Sequence, residues 1–77
     1  MSLLAHNLKE LRLKTGSKQM ELAKYLEILP RTVRYYETGA HEPDIDTLIK
    51  LADFYNVSLD YLVGRSDDDT PPNKKST

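Results

Sequence analysis

The stretch QMELAKYLEILPRTVRYYETG, residues 19–39, decides the fold. It reads as two short helices around a very tight break. Leu22, Ala23 and Leu26 fall on one side of the first helix, the pattern of an apolar face at helical period. Pro30 cannot sit inside a helix, but it suits the first helical position, where a missing N–H and a fixed φ do no harm. It also pushes Leu29 towards extended backbone, as an N-cap requires. The next helix therefore starts at Pro30, runs to about Thr38 and stops at Gly39. Only Glu27, Ile28 and Leu29 lie between the two. A connection that short forces the helices to cross steeply, which is the helix-turn-helix arrangement. Small Ala23 permits the close approach. Leu22, Leu26, Ile28, Val33 and Tyr36 then plug the angle between the helices into the core.

Working outward, Leu4, Leu8 and Leu11 recur at helical spacing and predict an earlier helix that Gly16 ends. Ser17 is a possible cap for the helix that follows. Met20 rather than Glu stands three residues on, so no capping box is expected there. After a loop over 40–43, Asp44 or Asp46 caps a fourth helix whose apolar positions are Ile45, Leu48, Ile49, Leu51, Ala52 and Tyr55, ended by Asn56. Ser58 caps a short fifth helix with Leu59, Leu62 and Val63 apolar, closed by Gly64. The predicted class is all-α, with one small core over residues 1–65. Residues 66–77 read SDDDTPPNKKST, with no large apolar side chain and two prolines, and are expected to be a disordered polar tail.

The 77 residues include no cysteine, so neither disulfides nor thiolate metal sites are expected. No HExxH, phosphate loop or nucleophile elbow appears, and His6 and His41 lie in unrelated contexts. Asp67, Asp68 and Asp69 lack the spacing and glycine of a calcium loop. No enzyme activity, metal or cofactor is predicted. The beginning of the chain has no signal-peptide pattern, and no apolar run approaches a membrane span, so a cytoplasmic protein is expected.

Net charge is -1, yet the charges are segregated. Residues 1–34 carry seven basic and three acidic side chains, a net of +4. Residues 35–63 carry one basic and six acidic, a net of -5. A basic half suits phosphate contact as well as it suits a solvated helix face.

The run over 19–39, followed by EPDIDTLIKLADFYNVSLDYLVGR, resembles the lambda-repressor-like (Cro, XRE-type) helix-turn-helix family. The likeness covers about Leu8 to Arg65. It rests on Leu11-Arg12, Gly16, Gln19, Glu21-Leu22-Ala23, Ile28, Val33, Tyr36-Glu37, Gly39, Pro43, Thr47-Leu48, Leu51-Ala52 and the closing SLDYLVG. The resemblance implies a compact five-helix bundle whose third helix enters the major groove. It implies a DNA-binding transcriptional regulator, bacterial or phage, of repressor type and of prophage or mobile-element origin. Three positions depart from the family pattern. Glu27 stands where glycine is usual, Lys18 where a Ser or Thr cap is usual, and Leu29 where a polar cap is usual. Each should cost on the order of 1 kcal/mol.

Positions matching Pro30, Arg31 and Tyr35 face base edges in the family. Arg31 is the best candidate for reading sequence, because its planar fork matches the O6/N7 edge of guanine. Pro30 could offer only an apolar contact. Thr32 and Arg34 share the exposed side. By resemblance, Gln19 at a helix start contacts phosphate, with Lys18 near it and the Gly39-Ala40-His41 loop as a second contact. Lys14 and Lys24 would add nonspecific attraction. Arg12 and Glu37 match a partly buried ion pair found in some relatives. Leu59, Tyr61, Leu62 and Val63 form a candidate dimer surface. A homodimer would set its recognition helices about 34 Å apart on a two-fold symmetric operator. The rival reading is a protein-interaction module on the same fold, using the acidic half against an antagonist or other protein partner.

Overall fold

A computed structural model describes residues 3–68 and residue 70. Among these it shows five helices and no strand: α1 (Leu3–Thr15), α2 (Gln19–Leu26), α3 (Pro30–Thr38), α4 (Ile45–Tyr55) and α5 (Leu59–Leu62). The all-α reading and the helix-turn-helix at α2–α3 both hold. The expectation of a disordered tail falls largely on Asp69 and residues 71–77, outside the described residues. Before them, the Asp68 carbonyl accepts a 3.2 Å hydrogen bond from the Ser58 hydroxyl, which brings residues 66–68 back against the start of α5.

Each boundary has a local cause. α2 ends with Glu27 at φ 59°. The Ile28 N–H bonds the Ala23 carbonyl at 3.0 Å and the Glu27 N–H bonds the Lys24 carbonyl at 3.2 Å. This paired closure is the Schellman motif, which needs a left-handed residue. Asn56 repeats it at the end of α4, with φ 56° and a 2.9 Å bond from the Val57 N–H to the Ala52 carbonyl. Pro30 opens α3 behind an extended Leu29, and left-handed Gly39 closes it at φ 85°. Asp44, not Asp46, caps α4 by accepting the Thr47 N–H at 2.8 Å. Ser58 caps α5 by accepting the Tyr61 N–H at 3.0 Å.

At the start of α2 the position implied by the resemblance holds and the Ser17 reading does not. Lys18, not Ser17, is the N-cap. Its side chain has no acceptor, but the Glu21 carboxylate reaches back to the Lys18 N–H at 2.8 Å. Half of a capping box therefore forms, because Glu21 stands three residues after the true cap.

Leu8, Leu22, Val33, Leu51 and Leu62 are the largest side chains at the sealed centre. Leu4, Leu11, Ala23, Leu26, Ala52, Tyr55 and Val57 surround them. Ile28 and Tyr36 pack partly buried at the α2–α3 angle. Tyr25 and Phe54 join α2 to α4 with ring centroids 5.0 Å apart. Asn7 of α1 donates to the carbonyls of Tyr61 at 3.0 Å and Leu62 at 3.2 Å, satisfying the end of α5, whose last carbonyls have no partner within so short a helix. Two expectations about apolar residues fail. Ile45 and Ile49 lie outside the core, 68% and 43% exposed. Both fall at the edge of the buried stripe of α4, not at its centre.

Candidate nucleic-acid interface

α3 divides cleanly. Val33 and Glu37 face inwards, while Arg31 and Arg34 are exposed, with Thr32 and Tyr35 half-buried between the two sides. Pro30 is exposed at the helix start. The helical period puts Arg31 and Tyr35 one turn apart on one stripe. Neither Arg31 nor Arg34 has an ion-pair partner among the described residues. Two guanidinium groups with no internal use are thus held on a short, sealed helix.

Tyr35 is oriented by its neighbours. Its ring meets the His41 ring edge-on at 5.0 Å and 66°. Its carbonyl accepts the His41 N–H at 3.3 Å and the Thr38 hydroxyl at 3.2 Å. The Ala40 N–H bonds the Thr38 hydroxyl at 3.4 Å. Backbone donors at Ala40 and His41, expected to meet phosphate, are therefore already engaged within the loop. The His41 imidazole is the donor this loop leaves exposed beside Gly39.

Gln19 opens α2, where the first N–H groups of a helix lack carbonyl partners and favour an anion. Its side chain is tied down in a way the sequence did not suggest. The Gln19 Nε2 donates to Glu37 Oε1 at 3.1 Å, while Arg12 Nε donates to Glu37 Oε2 at 2.7 Å. The ion pair between Arg12 and Glu37 expected from the resemblance is thus present and extends into a bridge over α1, α2 and α3. The Glu37 side chain is 4% exposed and that of Arg12 18%. The hydrogen bond that Arg12 donates to Glu37 raises the Arg12 pKa further, against the opposing effect of burial. Tyr55 lies within electrostatic reach of this pair, and burial pushes its phenol above the usual range.

The candidate dimer surface on α5 is only partly available. Leu62 is fully buried and belongs to the monomer core. α5 is a four-residue helix packed on α1 and α4, and its inward residue has no route to a partner. Leu59 remains 38% exposed, with Tyr61 and Val63 half-buried. Tyr61 also lines a shallow groove of about 510 Å³ with Glu10, Leu11, Leu13 and Lys14. Among the described residues no cluster of His, Cys, Asp or Glu could hold a metal ion, and no helix is long and apolar enough to cross a membrane.

Comparison with known proteins agrees with this architecture. A family model described as helix-turn-helix matches residues 8–62. The chain is 45% identical over 64 residues to the HTH-type transcriptional regulator ImmR of Bacillus subtilis, covering 83% of this chain and 50% of ImmR. It is 30% identical over 74 residues to the cryptic phage CTXphi transcriptional repressor RstR of Vibrio cholerae, covering 96% of this chain and 67% of RstR. A crystal structure of a transcriptional regulator from Listeria innocua superposes with a TM-score of 0.78 at 40% identity, over 84% of this chain and 61% of that one. The chain spans about half the length of the curated relatives it matches first. A helix-turn-helix of this geometry, matched over most of its length at these identities, makes the chain a member of the lambda-repressor-like helix-turn-helix family.

Proposed function

We propose that this chain is the double-stranded DNA-binding domain of a transcriptional regulator, a repressor of prophage or mobile-element type, with α3 in the major groove. The carrying observation is the outer face of α3, where Arg31 and Arg34 stand exposed with no ion-pair partner among the described residues. Arg31 reads a guanine edge bidentately, and Tyr35, one turn on, extends the reading along the groove. Pro30, Thr32 and Arg34 complete the base-facing set. Gln19 and Lys18 at the start of α2, with the exposed His41 imidazole after α3, grip phosphates on either side. The basic half of the chain thus faces DNA, and the acidic half faces away. Relatives named as a transcriptional regulator and a phage repressor support the reading. A binding role, with no catalysis and no cofactor, follows from it. The protein acts as a homodimer on a two-fold symmetric operator.

Selection from random duplex DNA, followed by anisotropy titration at two salt concentrations, tests this. The expected result is one enriched two-fold site, bound less tightly at high salt. Arg31→Ala should lose about 1–3 kcal/mol and relax preference at the base pair it reads. Absence of any enriched sequence would overturn the reading and favour a protein partner for the acidic half.

A further inference from the structure

α4 carries more apolar surface than the core uses. Leu51, Ala52 and Tyr55 are buried, but Ile45 is 68% exposed and Ile49 43%. Four residues apart, these two share one stripe of the helix. Alongside runs a second exposed stripe, Asp46 and Lys50, again four apart. Lys50 is the one basic residue between positions 35 and 63. Neither Asp46 nor Lys50 has an ion-pair partner among the described residues.

We propose that this face of α4 is a self-association surface, and that its occupant is the same face of a second copy of this chain. A two-fold axis that runs two α4 helices antiparallel sets Ile45 against the partner's Ile49, and Ile49 against the partner's Ile45. The same axis brings Asp46 beside the partner's Lys50, and Lys50 beside the partner's Asp46. The midpoints of the two pairs differ by one residue, about 1.5 Å along the helix. One axis therefore serves both stripes. An isologous contact needs a self-complementary patch, with each residue used twice. An apolar pair flanked by one acid and one base at equal spacing meets that need.

The patch is small. Two isoleucines per copy fall short of the roughly 1,200–2,000 Å² that a stable interface buries. Association is therefore weak in free solution and strengthens when two copies occupy adjacent half-sites, where the contact becomes effectively intramolecular. That second part rests on the DNA-binding reading above; the surface itself does not.

The test is sedimentation velocity at high protein concentration, together with binding to duplexes carrying one or two half-sites. Both use the whole chain, with melting curves to show that each variant is folded. Wild-type protein should self-associate weakly and bind two half-sites cooperatively. Ile45→Lys/Ile49→Lys should be monomeric and should lose that cooperativity with unchanged affinity for one half-site. Lys50→Asp should lower two-site affinity by about tenfold, equivalent to about 1.4 kcal/mol. The swap Asp46→Lys/Lys50→Asp should restore most of it. Unaltered association in the isoleucine variant, loss in Lys50→Asp without recovery in the swap, or loss caused only by Leu59→Lys would each overturn the proposal. Wild-type protein that stays monomeric and fills two half-sites independently would overturn it while leaving DNA reading intact. A dimer that is lost in the isoleucine variant but selects no DNA sequence would support the surface and remove the DNA reading.

Discussion

Glu37 joins three helices through two oxygens. Arg12 on α1 takes one and Gln19 on α2 takes the other, while Glu37 itself sits on α3. It is the only buried carboxylate among the described residues. Its removal leaves the Arg12 guanidinium without its anion and the Gln19 amide without its acceptor. Arg12 is partly exposed and can turn to water, so the loss should stay below that of a fully buried pair. Glu37→Ala should cost about 1.5–3 kcal/mol, the range for hydrogen bonds to charged groups. In a domain of this size that lowers the melting temperature by several degrees or more. An unchanged melting curve would show that the bridge adds nothing. Because Gln19 is also a proposed phosphate contact, the variant should bind DNA of any sequence less well.

Helix ends are where this chain departs from its family, and where it can be improved. Glu27 adopts φ 59° to close α2, a conformation that costs a side-chain-bearing residue about 1 kcal/mol or more. Glu27→Gly should therefore stabilise the domain by up to about 1 kcal/mol, after the greater freedom of glycine in the unfolded chain is set against the relief. Glu27→Ala keeps the strain and should not stabilise. Comparing the two by thermal melting separates backbone relief from the removal of a charge. α4 opens on Asp44, whose pKa is lowered chiefly by the hydrogen bonds from Thr47. A carboxylate with a depressed folded pKa contributes stability above its unfolded pKa, and loses it as pH falls through the folded value. Acid should thus weaken the cap below the ordinary Asp range. Asp44→Asn, which caps without ionising, should remove that part of the acid dependence. Equal acid profiles in melts from neutral to strongly acidic pH would argue against the cap as its source.

For the molecule as a whole, the net charge of -1 conceals a segregation of charge along the chain. The basic residues cluster in the first half of the chain, with the acidic ones on and around α4 and α5. DNA should meet the α3 side only, and salt should weaken binding because counterions released into a more concentrated solution gain less entropy. Lys18 is exposed at the start of α2 and meets no base in this arrangement. Lys18→Ala should weaken binding about equally on all sequences and reduce the salt slope by about one. A change in sequence preference instead would place Lys18 at a base edge.

The sequence by itself determined the helices and most of their ends. Gly16, Gly39 and Asn56 stop helices, while Pro30 and Ser58 start them, through steric or hydrogen-bonding effects that act within a few residues. The structure chose Asp44 over Asp46 for α4, and Lys18 over Ser17 for α2. The outer face of α3 was legible too, because helical period alone turns Arg31, Arg34 and Tyr35 away from Val33. What lay beyond it depended on partners far along the chain. Gln19 meets Glu37 across 18 residues, and Asn7 meets the end of α5 across 54 and 55. No local pattern marks such contacts. Likewise, whether an apolar residue on an amphipathic helix is core or surface depends on how wide a stripe its neighbours cover. Only tertiary packing sealed Leu62 inside and left Ile45 and Ile49 out, because α2 and α5 together cover one side of α4 and not its edge.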